Sequence, residues 1–147
     1  DPLTLRLDSS TSKIAIRTRA AGMLARLAHD LEMVVTEMQG QASQTDQGFS
    51  GEISIAVSGL RVSGHLHGDR VDSSGISPSD RHDIEKKIRD EVFLGVKEIV
   101  VRGRGTTWDR ADITVESGHG KMSLSAIMRK TEDGDRIRLT GRTELSL

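Results

Sequence analysis

Gly120-Lys121-Met122-Ser123-Leu124-Ser125-Ala126-Ile127-Met128-Arg129 lies between two glycine turns. Met122, Leu124, Ala126 and Met128 alternate with Lys121, Ser123, Ser125 and Arg129, the two-residue period of a strand with one buried face. Upstream, Gly118-His119-Gly120 has the composition of a tight hairpin, and Ile113 and Val115 alternate before it. Downstream, Glu132-Asp133-Gly134-Asp135 is a second hairpin turn. Beyond it Ile137, Leu139, Thr143, Leu145 and Leu147 alternate against Arg136, Arg138, Arg142 and Glu144. Three consecutive hairpin-linked strands predict an antiparallel meander with one face buried and one wet.

Working outward, Glu98 to Gly105 is the most strongly β stretch, with Ile99, Val100 and Val101 together. Gly51, Ile53, Ile55 and Val57 form a clean apolar face against Glu52, Ser54 and Ser58. At Gly59 the phase slips, because Leu60 and Val62 sit on even positions, which marks a bulge or bend. Leu3, Leu5 and Leu7 form a first alternating strand, and Ile14 and Ile16 a second. Leu31, Met33 and Val35 open a long strand that continues through Gln41. Ser63 to Gly75, rich in Gly, Ser, Asp and His, reads as a long loop.

Between the second strand and Leu31 lies Ala20 to Asp30. Met23, Leu24 and Leu27 recur at helical spacing, so Gly22 to Ala28 reads as a short helical plug covering one end of a barrel, with His29-Asp30 at the seam. One further helix is predicted after Ser77, a good N-cap, with Pro78 at its first position and Asp80 in its first turn. Its apolar stripe, Ile84, Ile88 and Val92, is narrow, and Asp83 with Lys87 and Glu85 with Arg89 stand at i,i+4 on the other side. Gly95 ends it. About eight antiparallel strands in a single domain, residues 1–147, predict closure into a barrel whose interior is either filled or able to hold one small ligand.

Composition narrows the function. Aromatic residues make up 2% of the chain, namely Phe49, Phe93 and Trp108, too few to supply the stacking platforms of a single-strand nucleic-acid binder. Net charge is -1, from 21 basic and 22 acidic residues, so no wide electrostatic footprint for nucleic acid is expected. The absence of cysteine removes thiol, disulfide and zinc–thiolate chemistry. No apolar run is long enough for a transmembrane segment. A soluble module is expected, cytoplasmic if the chain is complete and periplasmic if a signal peptide was removed before Asp1.

Several stretches resemble the YceI-like family of bacterial type. They are Asp8 with Ser12-Lys13-Ile14-Ala15-Ile16, then His29-Asp30-Leu31, and Ile88-Arg89-Asp90-Glu91-Val92-Phe93 leading into Glu98-Ile99-Val100-Val101. Gly120-Lys121-Met122-Ser123-Leu124 and Ile137-Arg138-Leu139-Thr140-Gly141 complete the set. The resemblance implies a lipocalin-like barrel that binds isoprenoid or other amphiphilic lipids and has no catalytic residues and no cofactor. On it, the ligand-lining candidates are the inward positions Ile53, Ile55, Val57, Ile99, Val101, Met122, Leu124, Ile137 and Leu139, with Met23, Leu24, Leu27 and His29 at the plugged end.

Other chemistry is weighed against plainer readings. His65 and His67, at i,i+2 on an extended segment, point to one side and can share a metal, with Asp69 or Asp72 adding a carboxylate. A solvated loop pair is the plainer reading, and a metal-dependent enzyme the rival. His29 reads as a cap on the plug's last carbonyls. Arg129, Arg136, Arg138 and Arg142 read as a solvated strand exterior, with a lipid-headgroup or acidic-partner patch as the alternative. Met23, Met33, Met38, Met122 and Met128 fit either an adaptable pocket or a gap-filled core. The expectation is a non-enzymatic module holding a small amphiphile, and its rival is a filled, ligand-free barrel acting as a structural or interaction domain. Oligomeric state is not readable from the chain.

Overall fold

The computed structural model describes residues 2–19, 30–118 and 120–144. Its strands are β1 (Leu3–Arg6), β2 (Ala15–Thr18), β3 (Leu31–Val35), β4 (Met38–Thr45), β5 (Gly48–Ala56), β6 (Leu60–His67), β7 (Arg70–Asp72), β8 (Glu98–Gly105), β9 (Arg110–Ser117), β10 (Gly120–Asp133) and β11 (Arg136–Arg142). One helix, α1 (Pro78–Lys87), continues into a π-helical turn over Ile88–Val92. Every ladder is antiparallel. The chain is mainly β with one helix, and its larger sheet curls into a half-barrel.

The eight strands expected from alternation resolve as eleven, in two sheets. A seven-stranded sheet runs β1-β4-β5-β8-β9-β10-β11, and a four-stranded sheet runs β2-β3-β6-β7. The chain changes sheet four times, and two of these changes, β3 to β4 and β5 to β6, are corners that face each other. The strand foreseen over 31–41 breaks at Thr36 and Glu37, where Thr36 N donates to Gly59 O at 3.0 Å and Ala56 N donates to Glu37 O at 3.1 Å. The phase slip at Gly59 is the second corner, a 3-10 turn over Val57–Gly59. A Cβ on Gly59 would lie 2.9 Å from the Glu37 Cβ, so the two corners approach as only glycine permits.

The loop expected over 63–75 is a hairpin instead. Leu60 and Val62 are buried on the face that opposes Val35 and Met33, and past Ser63 the buried residues are Gly64 and Leu66, but Gly64 adds no apolar signal, which hides the alternation. Register shifts between Glu32 and Met33, because Glu32 opposes Gly64 while Met33 opposes Val62, so Ser63 bulges. A bulge leaves backbone groups unpaired in the ladder, and α1 satisfies them. Val62 N donates to Glu85 Oε2 at 3.0 Å, and Arg81 donates to Val62 O. Glu85 therefore serves the sheet instead of the expected pairing with Arg89, and an i,i+4 ion pair on this segment joins Lys86 to Asp90 at 3.9 Å.

The helix cap is as expected, with Asp80 N donating to the Ser77 hydroxyl at 3.1 Å. Ile88 and Val92, on the π turn, are the parts of the stripe that reach the core. They join Leu31, Met33, Val35, Ile55, Val57, Leu60, Val62, Ile76, Phe93 and Ile99 in the main buried cluster. The helix and the small sheet thus cover one half of the large sheet's inner face. A second cluster at the other end contains Phe49, Trp108 and Ala111, with Leu5, Ala42, Ile113 and Met128 packed around it. No helix among the described residues is long and apolar enough to cross a membrane.

Candidate functional site

Strand register places eight of the nine inward candidates on a single face of the large sheet. Ile55 opposes Ile99, Ile53 opposes Val101, Val101 opposes Val115, and Val115 opposes Met122. Leu124 opposes Ile113, while Leu139 and Ile137 oppose Lys130 and Glu132 on the same face of β10. Val57 follows β5 in the corner turn. The alternation therefore identified a face, but the nine do not share one environment. Ile55, Val57 and Ile99 are buried in the main cluster, with Ile53 and Val101 half-buried against it. Met122, Leu124 and Ile137 are half-buried and Leu139 is 39% exposed, and none of these four belongs to either cluster.

Between these groups the inner face is nearly bare. Ala42 opposes Gly51, Gly51 opposes Gly103, and Gly103 opposes Ile113. A Cβ on Gly103 would meet nothing nearer than 4.0 Å, from Ala111 Cβ and Ile113 Cγ1. Small residues in a row let a sheet curl. Val101, Ile113 and Leu124 neighbour this row on the same face. Sequence reasoning did not find it, because glycines inside strands read only as bends.

Two clefts lie at the end carrying the second cluster. The smaller, about 390 Å³, is lined by Gln44, Phe49, Trp108, Asp109 and Lys130 among others. Phe49 and Trp108 stack there with ring centroids 4.1 Å apart and planes 13° from parallel. The Trp108 Nε1 is buried and has no hydrogen-bond partner among the described residues. The larger, about 910 Å³, lies on the outer face, where Ser43, Ser50, Arg104, Arg110, Asp112 and Ile127 line it. This cleft lies outside the sheet, on the face away from the expected interior. The aromatic pair was visible in the chain as two of only three rings, but nothing in the spacing brought position 49 to position 108.

The histidine pair lies beyond the Ser63 bulge of β6, where His65 opposes Leu31 and the two histidines alternate with buried Gly64 and Leu66. His67 Nε2 is 3.8 Å from Asp72 Oδ2, and His65 opposes Asp72 in register. Hydrogen bonds from the Ser74 hydroxyl and backbone N–H hold the Asp72 carboxyl below its usual range, so it is an anion beside His67. Among the described residues no group of three or more His, Cys, Asp or Glu side chains could hold a metal ion, and Asp69 is turned to Arg17 at 3.8 Å. The plug candidates Met23, Leu24, Leu27 and His29 lie outside the described residues.

On the outer face, charge divides along the strands. Arg102 pairs with Glu52 at 3.1 Å and with Glu116, and Lys121 reaches Glu116 at 3.5 Å. The hydrogen bond from Arg102 depresses the Glu116 carboxyl, and the same contact raises the Arg102 guanidinium. Compared with protein-family models, curated proteins and solved structures, the chain matches none.

Proposed function

We propose that the protein is a non-enzymatic binding module holding a small amphiphile against the inner face of its curled sheet, as a lipocalin-like barrel of the YceI-like kind. The observation that carries this reading is the row of small residues at Gly51 and Gly103, where a first side-chain carbon at 103 would meet nothing nearer than 4.0 Å, beside Met122 and Leu124, half-buried apolar side chains that neither core cluster absorbs. Met122, Leu124, Ala126 and Met128 continue this face along β10. Unbranched, polarisable methionines at both ends conform to an irregular aliphatic chain. The polar head would lie at the open end, near Gln44, Asp109 and Lys130.

A second reading draws on the main cluster, where Ile55, Val57 and Ile99 are packed against the small sheet and the helix. On it the barrel is filled and ligand-free, and serves as a structural or interaction domain. Organic extraction of the purified protein followed by mass spectrometry separates the two. A stoichiometric amphiphile supports the first. A clean extract, with no gain in fluorescence of an apolar dye, removes it.

A further inference from the structure

Among the described residues, five arginines on the outer face of the half-barrel make no ion pair: Arg104 on β8, Arg110 on β9, Arg129 on β10, and Arg138 and Arg142 on β11. All five are exposed. Register gathers them at one end of the sheet, since Arg104 opposes Asp112, Arg110 and Arg142 flank Ile127 from either side, and Arg129 and Arg138 oppose Thr140 and Thr131. The acidic groups nearby are engaged elsewhere, Asp112 with the Ser125 hydroxyl at 3.3 Å and Asp109 with the Thr107 hydroxyl. Asp112 stands opposite Arg104 and Asp109 beside Arg110, so five guanidiniums share two carboxylates here and the patch keeps a net positive charge.

At the centre of the patch stands Ile127, 73% exposed. Beside it opens the 910 Å³ cleft, with Arg104 and Arg110, the carboxylates of Asp109 and Asp112, and the hydroxyls of Ser43 and Ser50 in its lining. We propose that this face docks on an anionic phospholipid surface. Guanidinium groups bind phosphate oxygens through two parallel hydrogen bonds, and the cleft gives one headgroup phosphate a site among arginines and hydroxyls. A protruding aliphatic side chain ringed by guanidiniums matches a layer that is charged outside and apolar beneath. An acidic peptide would satisfy the cations but would leave Ile127 unmatched. The inference uses the face opposite the proposed amphiphile site and stands independently of that reading.

Co-sedimentation of the full chain with phosphatidylglycerol vesicles and with phosphatidylcholine vesicles tests it. Binding is expected to the anionic vesicles only, and to fade between low and high salt. Arg104→Gln with Arg142→Gln should lower the partition coefficient by roughly 30-fold, at the usual worth of a basic residue near an anionic leaflet. Lys13→Gln with Arg70→Gln removes equal charge outside this patch and should change it far less. Ile127→Ser should weaken vesicle binding without altering the salt dependence. Equal binding to both lipids, or equal losses in the two double variants, overturns the proposal. So does tight binding of soluble inositol hexakisphosphate with no vesicle binding, which would make the partner a dissolved anion. The substituted side chains are exposed, so an unchanged melting temperature confirms that folding is not the cause.

Discussion

Arg136 Nη1 lies 2.7 Å from Asp8 Oδ2, joining β11 to the segment that follows β1. These are the two edge strands of the seven-stranded sheet. The curl therefore brings the edges close enough for one side-chain bridge, while backbone ladders between β1 and β11 are absent among the described residues. Leu5 packing with Met128 in the second cluster fits the same approach.

Asp8 gives the bridge a pH signature. The Ser10 and Thr11 hydroxyls, with Arg136 in support, lower its carboxyl from 3.8 to about 2. Folding favours the ionised form, so its contribution is complete above the unfolded value and is lost as pH falls through the folded one. Melting temperature should drop between about pH 4 and pH 2 more steeply in the wild type than in Asp8→Asn. Parallel curves over that window would show that the bridge does not hold the edges.

Glu85 supports a different seam. Its carboxylate takes the Val62 N–H that the Ser63 bulge removes from the ladder. Glu85→Ala leaves that part-buried donor without its acceptor, which costs about 1–3 kcal/mol. Glu85→Gln keeps an acceptor oxygen and should recover most of the loss in urea unfolding. An alanine variant as stable as the wild type would mean that water replaces the carboxylate without penalty.

Much of the large sheet was legible, because residues such as Ile53, Val101, Met122 and Leu139 alternate without interruption and register puts them on one face. The two-sheet division was not. Val35 and Met38 carry apolar periodicity across the corner, and what breaks the strand is a tertiary contact between Glu37 and Gly59, distant in the chain. The hairpin over 60–72 escaped because Gly64 supplies burial without hydrophobicity. The site was legible only as a face. Whether a side chain on it is packed, as Ile99 is, or left half-bare, as Leu124 is, depends on what the small sheet covers. On the outer face, the arginines of β11 were visible in the alternation, but Arg104 and Arg110 joined them only through cross-strand register.

Trp108 holds a buried indole N–H with no acceptor among the described residues, a cost of about 1–3 kcal/mol carried within a favourable aromatic stack. Trp108→Phe deletes the donor and keeps a ring against Phe49. It should be neutral or slightly stabilising, whereas Trp108→Ala should cost about 3–5 kcal/mol through the cavity it leaves. Thermal unfolding of the pair decides this. A phenylalanine variant as unstable as the alanine one would mean that the indole N–H has an acceptor in solution.

Gly103 separates the hollow barrel from the filled one. A new side chain there projects toward Ala111 and Ile113, with 4.0 Å of clearance for its first carbon. If the space beyond is empty, Gly103→Leu adds apolar contact and removes the entropic penalty of a glycine inside a strand, about 0.5–1 kcal/mol. Melting temperature should then hold or rise, while a dye or co-purified amphiphile is expelled because its volume is occupied. If the interior is already filled, the same leucine overpacks it at about 1–3 kcal/mol and there is no ligand to lose. Leu124→Ala provides the cross-check. As a half-buried residue outside both clusters, it should cost less than the 2–5 kcal/mol typical of a fully packed leucine. A loss inside that range, together with a destabilised Gly103→Leu, would leave the ligand-free reading in possession of the fold.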